Sequence, residues 1–303
     1  MTTPGAATES PLQRLASLRQ YQQDGRRAPH KPLLVLLALG RLASTGSSRL
    51  PWSVAETELA GLIAEFGPPS KTAPAQSAAY PFTRLRRDDV WTLDRDVPDD
   101  SLKPLREGVT GQFEASLERA LREAPAQIPG LARSLVDSHF PPTVAGDVLL
   151  AVGFDPESEA GVSLVDQPAT QQRKRDASWR AAILEAWDRQ CAFCGFDGQA
   201  GGIPIGLEAA HVRWFALEGP DTLDNGMALC MLHHKLFDRG ILGLDCDLAI
   251  VVSQRFSART LHGRAVYDLH GRPLSARPGT QLPAQPHVQW HREQVFQGLP
   301  LAS

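Results

Sequence analysis

The segment Cys191–Asp238 reads CAFCGFDGQAGGIPIGLEAAHVRWFALEGPDTLDNGMALCMLHHKLFD. It contains two pairs of soft metal ligands at the same two-residue spacing. The first pair is Cys191 and Cys194, and the second is Cys230 and His233. Two such pairs, one from a tight turn and one from a distant segment, are typical of a closed tetrahedral zinc site. Three of the four cysteines of the chain fall in this pattern, which favours a structural zinc site over unrelated buried side chains.

The zinc pattern does not include three other polar residues of the segment, His211, Asn225 and His234. Their order within a Cys/His frame resembles the HNH nuclease motif of the ββα-metal fold, from the predicted helix Trp179–Trp187 to Gly240. The resemblance implies that His211 ends the first strand and acts as general base toward a phosphodiester. It implies that Asn225 orients this histidine or its strand. It also implies that His234 ligates a catalytic Mg²⁺ or Mn²⁺ from a helix.

The catalytic metal ligands depart from the family pattern at one position. Many relatives carry Asp or His directly before the first motif histidine, where this chain has Ala210. Glu208 would lie on the same strand face as Ala210, and its longer side chain is the expected substitute ligand beside His234. Asp238 is a further candidate ligand. The alternative for Glu208 is a solvated or arginine-paired carboxylate.

The composition is that of an ordinary soluble protein with an uneven charge distribution. The 303 residues carry a net charge of −3, and 42% of them are hydrophobic. The sequence contains no apolar run of about 18 residues and no signal-peptide pattern, so we expect no membrane span and a cytoplasmic location. Lys and Arg concentrate in residues 1–50, 84–87 and 255–277. These separated basic regions favour DNA-contacting surfaces, with solvated surfaces that have no partner as the alternative.

The first half carries a second resemblance. The stretch Arg26–Leu34 (RRAPHKPLL) opens a helix that is apolar on nearly all sides, and Ala79-Tyr80-Pro81-Phe82 follows before the predicted strand Val90–Leu93. These features resemble the sulfur-binding domain of phosphorothioate-dependent restriction endonucleases. The order of sulfur-binding domain, linker and HNH domain also fits that family, as does the ending Trp290–Phe296.

A phosphorothioate reader needs an apolar wall for the sulfur and a cation for the remaining negative charge. Sulfur accepts hydrogen bonds poorly, so a shallow apolar pocket desolvates it at little cost while disfavouring an oxygen. Tyr80 and Pro81 are the expected walls, and His30 or Lys31 is the expected cation. The alternative for Tyr80 and Pro81 is a rigid loop packed on the core. The alternative for His30 and Lys31 is a helix N-terminus exposed to solvent. The predicted DNA contacts are Arg27, His30, Lys31, Tyr80, Pro81 and Arg84.

Together these interpretations predict an α+β protein. A mainly helical sulfur-binding domain is expected over residues 1–160, a linker over 161–176, and a zinc-containing ββα-metal HNH nuclease domain over 177–303. The predicted function is modification-dependent hydrolysis of double-stranded DNA, by a homodimer because a single HNH site cuts one strand. One alternative is an HNH nuclease that reads methylated bases, although no aromatic cage is evident in the first half. The other is a non-catalytic zinc module, which has no use for His211 and Asn225.

Overall fold

The computed structural model describes Leu15, residues 28–156 and residues 177–302. Arg27 and the predicted linker 161–176 lie outside the described residues, and the domain boundaries stay predictions. Helices dominate the described part of the first half, and short antiparallel strand pairs are concentrated in the second. No helix in these ranges is long and apolar enough to span a membrane.

The first half is built around α1 (His30–Thr45), a helix buried on almost every side. Its run of leucine, valine and alanine has no polar stripe that could face water, so neighbouring helices enclose it. The helix ends at Gly46, whose left-handed conformation (φ 72°) lets its N–H bond to the carbonyl of Leu42. The elements that follow are β1 (Leu50–Pro51), α2 (Trp52–Phe66), α3 (Pro74–Arg84), β2 (Trp91–Leu93), α4 (Leu102–Arg106), β3 (Thr110–Phe113), α5 (Ala115–Glu123), α6 (Ile128–His139) and α7 (Pro142–Ala151).

Strands β1, β3 and β2 form a small antiparallel sheet in that order. Trp91 of β2 lies opposite Phe113 of β3, and its indole also packs edge-on against Phe82. The indole N–H donates to the carbonyl of Phe82 at 3.0 Å, so the buried ring leaves no unsatisfied polar atom. This sheet attaches the C-terminal end of α3 to the rest of the core.

A rigid loop was the alternative left open for Tyr80 and Pro81, but both residues lie inside the helix α3. The helix begins at Pro74, a residue well suited to the first helical turn. Pro81 is in the helix interior, where a proline removes one backbone donor and is normally unfavourable. Its ring is buried beside the buried Phe82, so tertiary packing overrides the local preference. The alternative of a loop was therefore wrong.

The second half contains the predicted strand–strand–helix order. Strands β6 (Leu207–His211) and β7 (Gly226–Cys230) pair antiparallel, with His211 opposite Gly226, and α9 (Met231–Asp238) follows directly. The helix before them, α8 (Ala177–Ala186), ends one residue before the predicted Trp187, and Asp188 and Arg189 beyond it are left-handed. The other elements are β4 (Gln199–Ala200), β5 (Ile203–Pro204), β8 (Leu242–Leu244), β9 (Ile250–Val252), α10 (Leu261–Arg264) and α11 (Gln285–Gln294).

The two halves share a hydrophobic core. Four buried residues of the second half, Trp214, Leu217, Trp290 and Val295, belong to the cluster formed by the first-half helices. Trp214 and Trp290 pack edge-to-face with centroids 6.0 Å apart. A second cluster lies within the second half and contains the residues beneath the Cys/His frame. The first half is therefore part of the environment that supports the loop after His211.

Charged and polar contacts from both halves surround helix α9. Lys235 pairs with Asp147 of α7 at 2.8 Å, and Arg239, just after α9, pairs with Glu65 of α2 at 2.7 Å. The guanidinium of Arg239 also lies over the ring of Phe66, 4.6 Å from its centre. Partly exposed ion pairs of this kind each contribute little to the free energy of unfolding. Their main effect is to fix the orientation of α9 against the first half.

Replacement of Trp214 by alanine should destabilise the whole chain. The ring is 2% exposed within the shared core, and deletion of a large buried aromatic side chain typically costs about 3–5 kcal/mol. Guanidinium denaturation followed by circular dichroism measures the change in the free energy of unfolding. Leu261→Ala is the control, because this side chain is 81% exposed and its loss should have little effect. Equal stabilities of the two variants would contradict a shared core.

Candidate functional site

Four side chains predicted as zinc ligands converge in the second half. Ligand atoms of Cys191, Cys194, Cys230 and His233 all lie within 4.8 Å of one another. The first two stand in a tight turn that closes through a bond from the N–H of Gly195 to the carbonyl of Cys191, at 2.8 Å. Gly195 has a φ of 73°, which a glycine adopts without strain. The other two, Cys230 and His233, come from the end of β7 and the first turn of α9. The cluster therefore brings the Cys191–Cys194 turn next to the start of α9.

This donor set fits a zinc ion. The ring Nδ1 of His233 lies 3.3 Å from the sulfur of Cys230 and 3.5 Å from that of Cys191. Burial lowers the pKa of His233, but hydrogen bonds to the surrounding cysteine sulfurs raise it to about 11. Three cysteine sulfurs and one imidazole nitrogen that converge in this way are donors typical of a tetrahedral zinc site. The cluster itself is confirmed by the structure, and zinc as its metal stays a prediction.

His211 ends β6 and is fixed on two sides. Its ring stacks on Trp179 of α8, with centroids 3.8 Å apart and planes 13° from parallel. Its Nε2 lies 2.7 Å from a carboxylate oxygen of Asp221. The ring of Phe215 approaches it at a tilt, 5.6 Å away. A histidine that is 8% exposed and held in this way has a fixed ring plane, as a positioned proton acceptor requires.

Asn225 is fully buried and ties together the loop between the two strands. Its side-chain oxygen accepts from the N–H of Arg213 at 2.8 Å, and its amide donates to the carbonyls of Arg213 and Pro220, both at 3.0 Å. Its backbone carbonyl accepts from the N–H of Val212. These bonds hold both ends of the loop that follows His211, consistent with the expected orienting role.

His234 points to a different cluster from its neighbour His233. Its Nδ1 lies 2.7 Å from Glu208, and its Nε2 lies 3.2 Å from Asp238 one helical turn later. Burial lowers the pKa of His234, but Asp238 and Glu208 raise it to about 9. The hydrogen bond to His234 lowers the pKa of Glu208. The structure thus brings Glu208, His234 and Asp238 into contact, and their role as metal ligands stays a prediction.

Asp238 is bridged to the first half of the chain. Its carboxylate is 4% exposed as a residue and accepts a hydrogen bond from the hydroxyl of Thr143 in α7. Burial alone raises the pKa of Asp238, but the contacts with His234 and Thr143 bring it below its ordinary value. A side chain from the first half of the chain therefore contributes a hydrogen bond to a candidate metal ligand.

The predicted phosphorothioate-binding residues lie around the start of α1 and the end of α3. Lys31 pairs with Asp88, and Arg84 binds Asp100 through its Nε at 2.9 Å while lying 5.0 Å over the ring of Tyr80. The hydrogen bond to Asp100 raises the pKa of Arg84. Pro81 is buried, and His30 is half-buried at the first position of α1.

The basic cluster that begins at Arg84 is charge-balanced. Arg86 binds Asp96 at 3.0 Å and Asp99 at 2.7 Å, and Arg87 also contacts Asp99. The hydrogen bond from Arg86 lowers the pKa of Asp99. The acidic and basic runs noted in the sequence thus form one network, so these arginines do not constitute an uncompensated positive patch.

Comparison with known proteins assigns both halves. Residues 8–157 match the family described as "ScoMcrA-like, DNA sulfur-binding domain", and residues 191–245 match the family "HNH endonuclease". The two matches define a class of protein in which a DNA sulfur-binding domain precedes an HNH domain. The chain carries both domains in this order, with the ScoMcrA-like match over residues 8–157 and the HNH match over residues 191–245.

Several solved structures are similar to the chain. The sulfur-binding domain of ScoMcrA complexed with phosphorothioated DNA shares 21% identity, with a TM-score of 0.40 over 47% of this chain and 97% of that one. The type IV phosphorothioation-dependent restriction endonuclease ScoMcrA shares 14% identity, with a TM-score of 0.39 over 76% of this chain and 82% of that one. At these TM-scores the similarities add nothing to the two family matches. Comparison with curated proteins finds no match.

Sequence reasoning missed three functional contacts. Asp221 is ten residues from His211 in an irregular loop, and Thr143 is 95 residues from Asp238, so neither pairing has a local signal. The ring of Trp179 forms one wall of the His211 site, a contact that its position in the predicted helix does not indicate. By contrast, the paired two-residue spacings mark the four residues of the Cys/His cluster directly.

Replacement of Cys194 by serine should remove the bound metal. We expect one zinc per chain in the wild type, because the four donors already stand at ligand separations. Plasma mass spectrometry of the purified protein measures the metal content. Cys246→Ser is the matched control, since this cysteine is also exposed but lies outside the cluster. A zinc-free wild type, or full zinc content in the Cys194 variant, would contradict the assignment.

Replacement of Thr143 by valine should weaken the junction between the halves. Valine keeps the shape of threonine but leaves the buried Asp238 carboxylate without this donor, which typically costs about 1–3 kcal/mol. Chemical denaturation measures the loss. Thr92→Val is the control, because Thr92 is exposed on β2, where valine is equally well suited. Unchanged stability of the Thr143 variant would show that the contact is dispensable.

Proposed function

We propose that this protein is a modification-dependent endonuclease that binds phosphorothioated double-stranded DNA through its first half and hydrolyses it at the His211 site. The observation that carries the proposal is the fixed imidazole of His211 at the end of β6, inside a segment that matches the HNH endonuclease family. The match of residues 8–157 to a DNA sulfur-binding domain supports phosphorothioated DNA as the substrate. The DNA-reading and hydrolytic roles are thus carried by different parts of one chain.

In the proposed mechanism His211 takes a proton from the attacking water. Imidazole titrates near neutral pH, so a neutral ring held in a fixed plane is a suitable base. Stacking on Trp179 prevents rotation of the ring, and Asn225 fixes the loop that follows His211. The phosphodiester would lie beyond the end of β6, with its phosphorus in line with the activated water.

Glu208, His234 and Asp238 are the residues that we propose to hold a catalytic divalent ion. One imidazole and two carboxylates suit Mg²⁺ or Mn²⁺, which would stabilise the charge on the phosphorane and its leaving oxygen. Both ring nitrogens of His234 contact these carboxylates. A cation held by His234 would replace the proton at one of these ring nitrogens, and the carboxylate oxygens of Glu208 and Asp238 would be its further ligands.

The sulfur-reading part of the proposal rests on the end of α3 and the start of α1. Tyr80 is the proposed apolar wall, and Pro81, the other expected wall residue, is buried in the same helix. Lys31 and Arg84 are each paired with an aspartate, so an incoming phosphorothioate would compete with a carboxylate as their anionic partner. His30 and Arg27 complete the proposed contact set. A neutral resting network of this kind limits attraction to unmodified DNA and gives the sulfur contact more weight in selection.

Double-strand cleavage by this architecture calls for two protomers. Each chain contributes one His211 site, and one such site hydrolyses one strand in an encounter. We therefore propose a homodimer on DNA, in which each nuclease site faces one strand.

Replacement of His211 by alanine should abolish cleavage and leave DNA binding intact. The substitution removes the proposed base, which accounts for about 10²–10⁴ in rate for a positioned general base. Cleavage of a phosphorothioated plasmid with Mn²⁺ is measured together with a gel shift on the modified duplex. His262→Ala is the matched control, because His262 lies on α10 outside both clusters. Full activity of the His211 variant would eliminate the HNH mechanism, and loss of both properties would point to misfolding.

A further inference from the structure

Asp221 occupies a position in the His211 site that the HNH pattern does not assign. Its carboxylate oxygen lies 2.7 Å from Nε2 of His211, and the two side chains are 15% and 8% exposed. The pair is therefore largely shielded from water. Asp221 belongs to neither the zinc cluster nor the Glu208–His234–Asp238 group.

The backbone on both sides of Asp221 is held in place. The carbonyl of Pro220, directly before it, accepts from the side-chain amide of Asn225 at 3.0 Å. The carbonyl of Thr222, directly after it, accepts from the indole N–H of Trp179 at 3.0 Å. Trp179 is the same residue whose ring stacks on His211, so one side chain fixes both members of the pair.

The turn leading into Asp221 is also tightly constrained. The N–H of Gly219 bonds to the carbonyl of Trp214 at 3.0 Å. A Cβ at Gly219 would lie 1.8 Å from the carbonyl oxygen of Arg213, so no other residue fits without movement of the backbone. A loop closed at such short range delivers the Asp221 carboxylate to one defined position.

We infer that Asp221 is the positioning residue of His211: it accepts the Nε2–H and thereby leaves the proton-accepting lone pair on Nδ1. The inference rests on the proposed function of His211 as base. An ionised carboxylate has acceptors and no donor, and a neutral imidazole has one N–H and one lone pair. The hydrogen bond to Asp221 therefore selects the tautomer protonated on Nε2, and Asn225 acts by holding the loop that carries Asp221.

The same contact assists the proton transfer itself. When Nδ1 takes a proton from water, one O–H bond breaks, its electron pair stays on the hydroxide that attacks phosphorus, and the ring becomes an imidazolium. Asp221 then faces this positive charge across a short, poorly solvated hydrogen bond, where charge-assisted bonds are strong. A carboxylate that orients a histidine base in this way has the same physical role as the aspartate of a Ser-His-Asp triad.

The test compares Asp221→Asn with Asp221→Glu and with the matched control Asp224→Asn. Asp224 carries the same charge in the same loop, and its backbone carbonyl accepts from Ala284. For Asp221→Asn we expect kcat on phosphorothioated DNA to fall by about 10²–10⁴-fold, with KM and the gel shift unchanged. We expect Asp221→Glu to recover part of kcat, because it retains the carboxylate, and Asp224→Asn to cleave as the wild type does.

A spectroscopic readout on the full chain separates positioning from mere stability. Nitrogen-15 NMR of histidine-labelled protein, with the His211 signals assigned by their loss in His211→Ala, distinguishes a protonated ring nitrogen from one with a lone pair. The wild type should carry its proton on Nε2, and Asp221→Asn should populate the other tautomer. A wild-type proton on Nδ1 would overturn the inference whatever the variants do in the cleavage assay.

The inference and the proposed function can fail separately. Wild-type kcat in Asp221→Asn, with His211→Ala inactive, would overturn the role of Asp221 and leave the nuclease intact. A wild type that cleaves no DNA, but shows the Nε2 proton lost in Asp221→Asn, would remove the proposed function and keep the positioning of His211 by Asp221. If Asp221→Asn does not fold, the partial recovery expected of Asp221→Glu and the wild-type spectrum still decide the question.

Discussion

The buried side chain of Asn225 is the constraint on which the nuclease half depends. A fully buried amide is stable only when its donors and acceptor are paired, and here all of them bond to the loop that leaves His211. These bonds close the loop between β6 and β7, in which Asp221 lies 2.7 Å from His211 while Trp179 stacks on the same imidazole. The hydrogen bonds of the buried Asn225 amide therefore determine the conformation of the loop that forms the His211 site.

Helix α9 is the structural junction of the molecule. Its first turn supplies His233 to the Cys/His cluster, its next residue supplies His234, and its end supplies Asp238, which binds Thr143 in the first half. The loop after His211 reaches the same half through Trp214. Both groups of candidate nuclease residues are thus one or two contacts away from the sulfur-binding half. A rearrangement of that half on binding DNA would therefore displace residues of α9 and of the His211 loop, since packed interfaces transmit displacement.

The sequence predicted the features that depend on short spacing. The Cys191/Cys194 and Cys230/His233 pairs follow from their spacing, and the order of strand, strand and helix follows from the resemblance to the HNH motif; the structure confirms both. It did not predict the helical state of Tyr80, because burial of Pro81 outweighs its poor helix propensity. Nor did it predict the contacts of Asp221 and Thr143, which depend on loop closure and on packing between the halves. Local sequence thus indicates which residues bind and react, while tertiary contacts determine how they are held.

The central claim is that one chain both reads backbone sulfur and cuts DNA. The most direct measurement is the cleavage rate of the full-length protein, with Mn²⁺ or Mg²⁺, on two plasmids that differ only in phosphorothioation. The account predicts cleavage of the modified plasmid and little or none of the unmodified one. Equal cleavage of both plasmids would contradict the sulfur-reading role, and cleavage of neither would contradict the nuclease role.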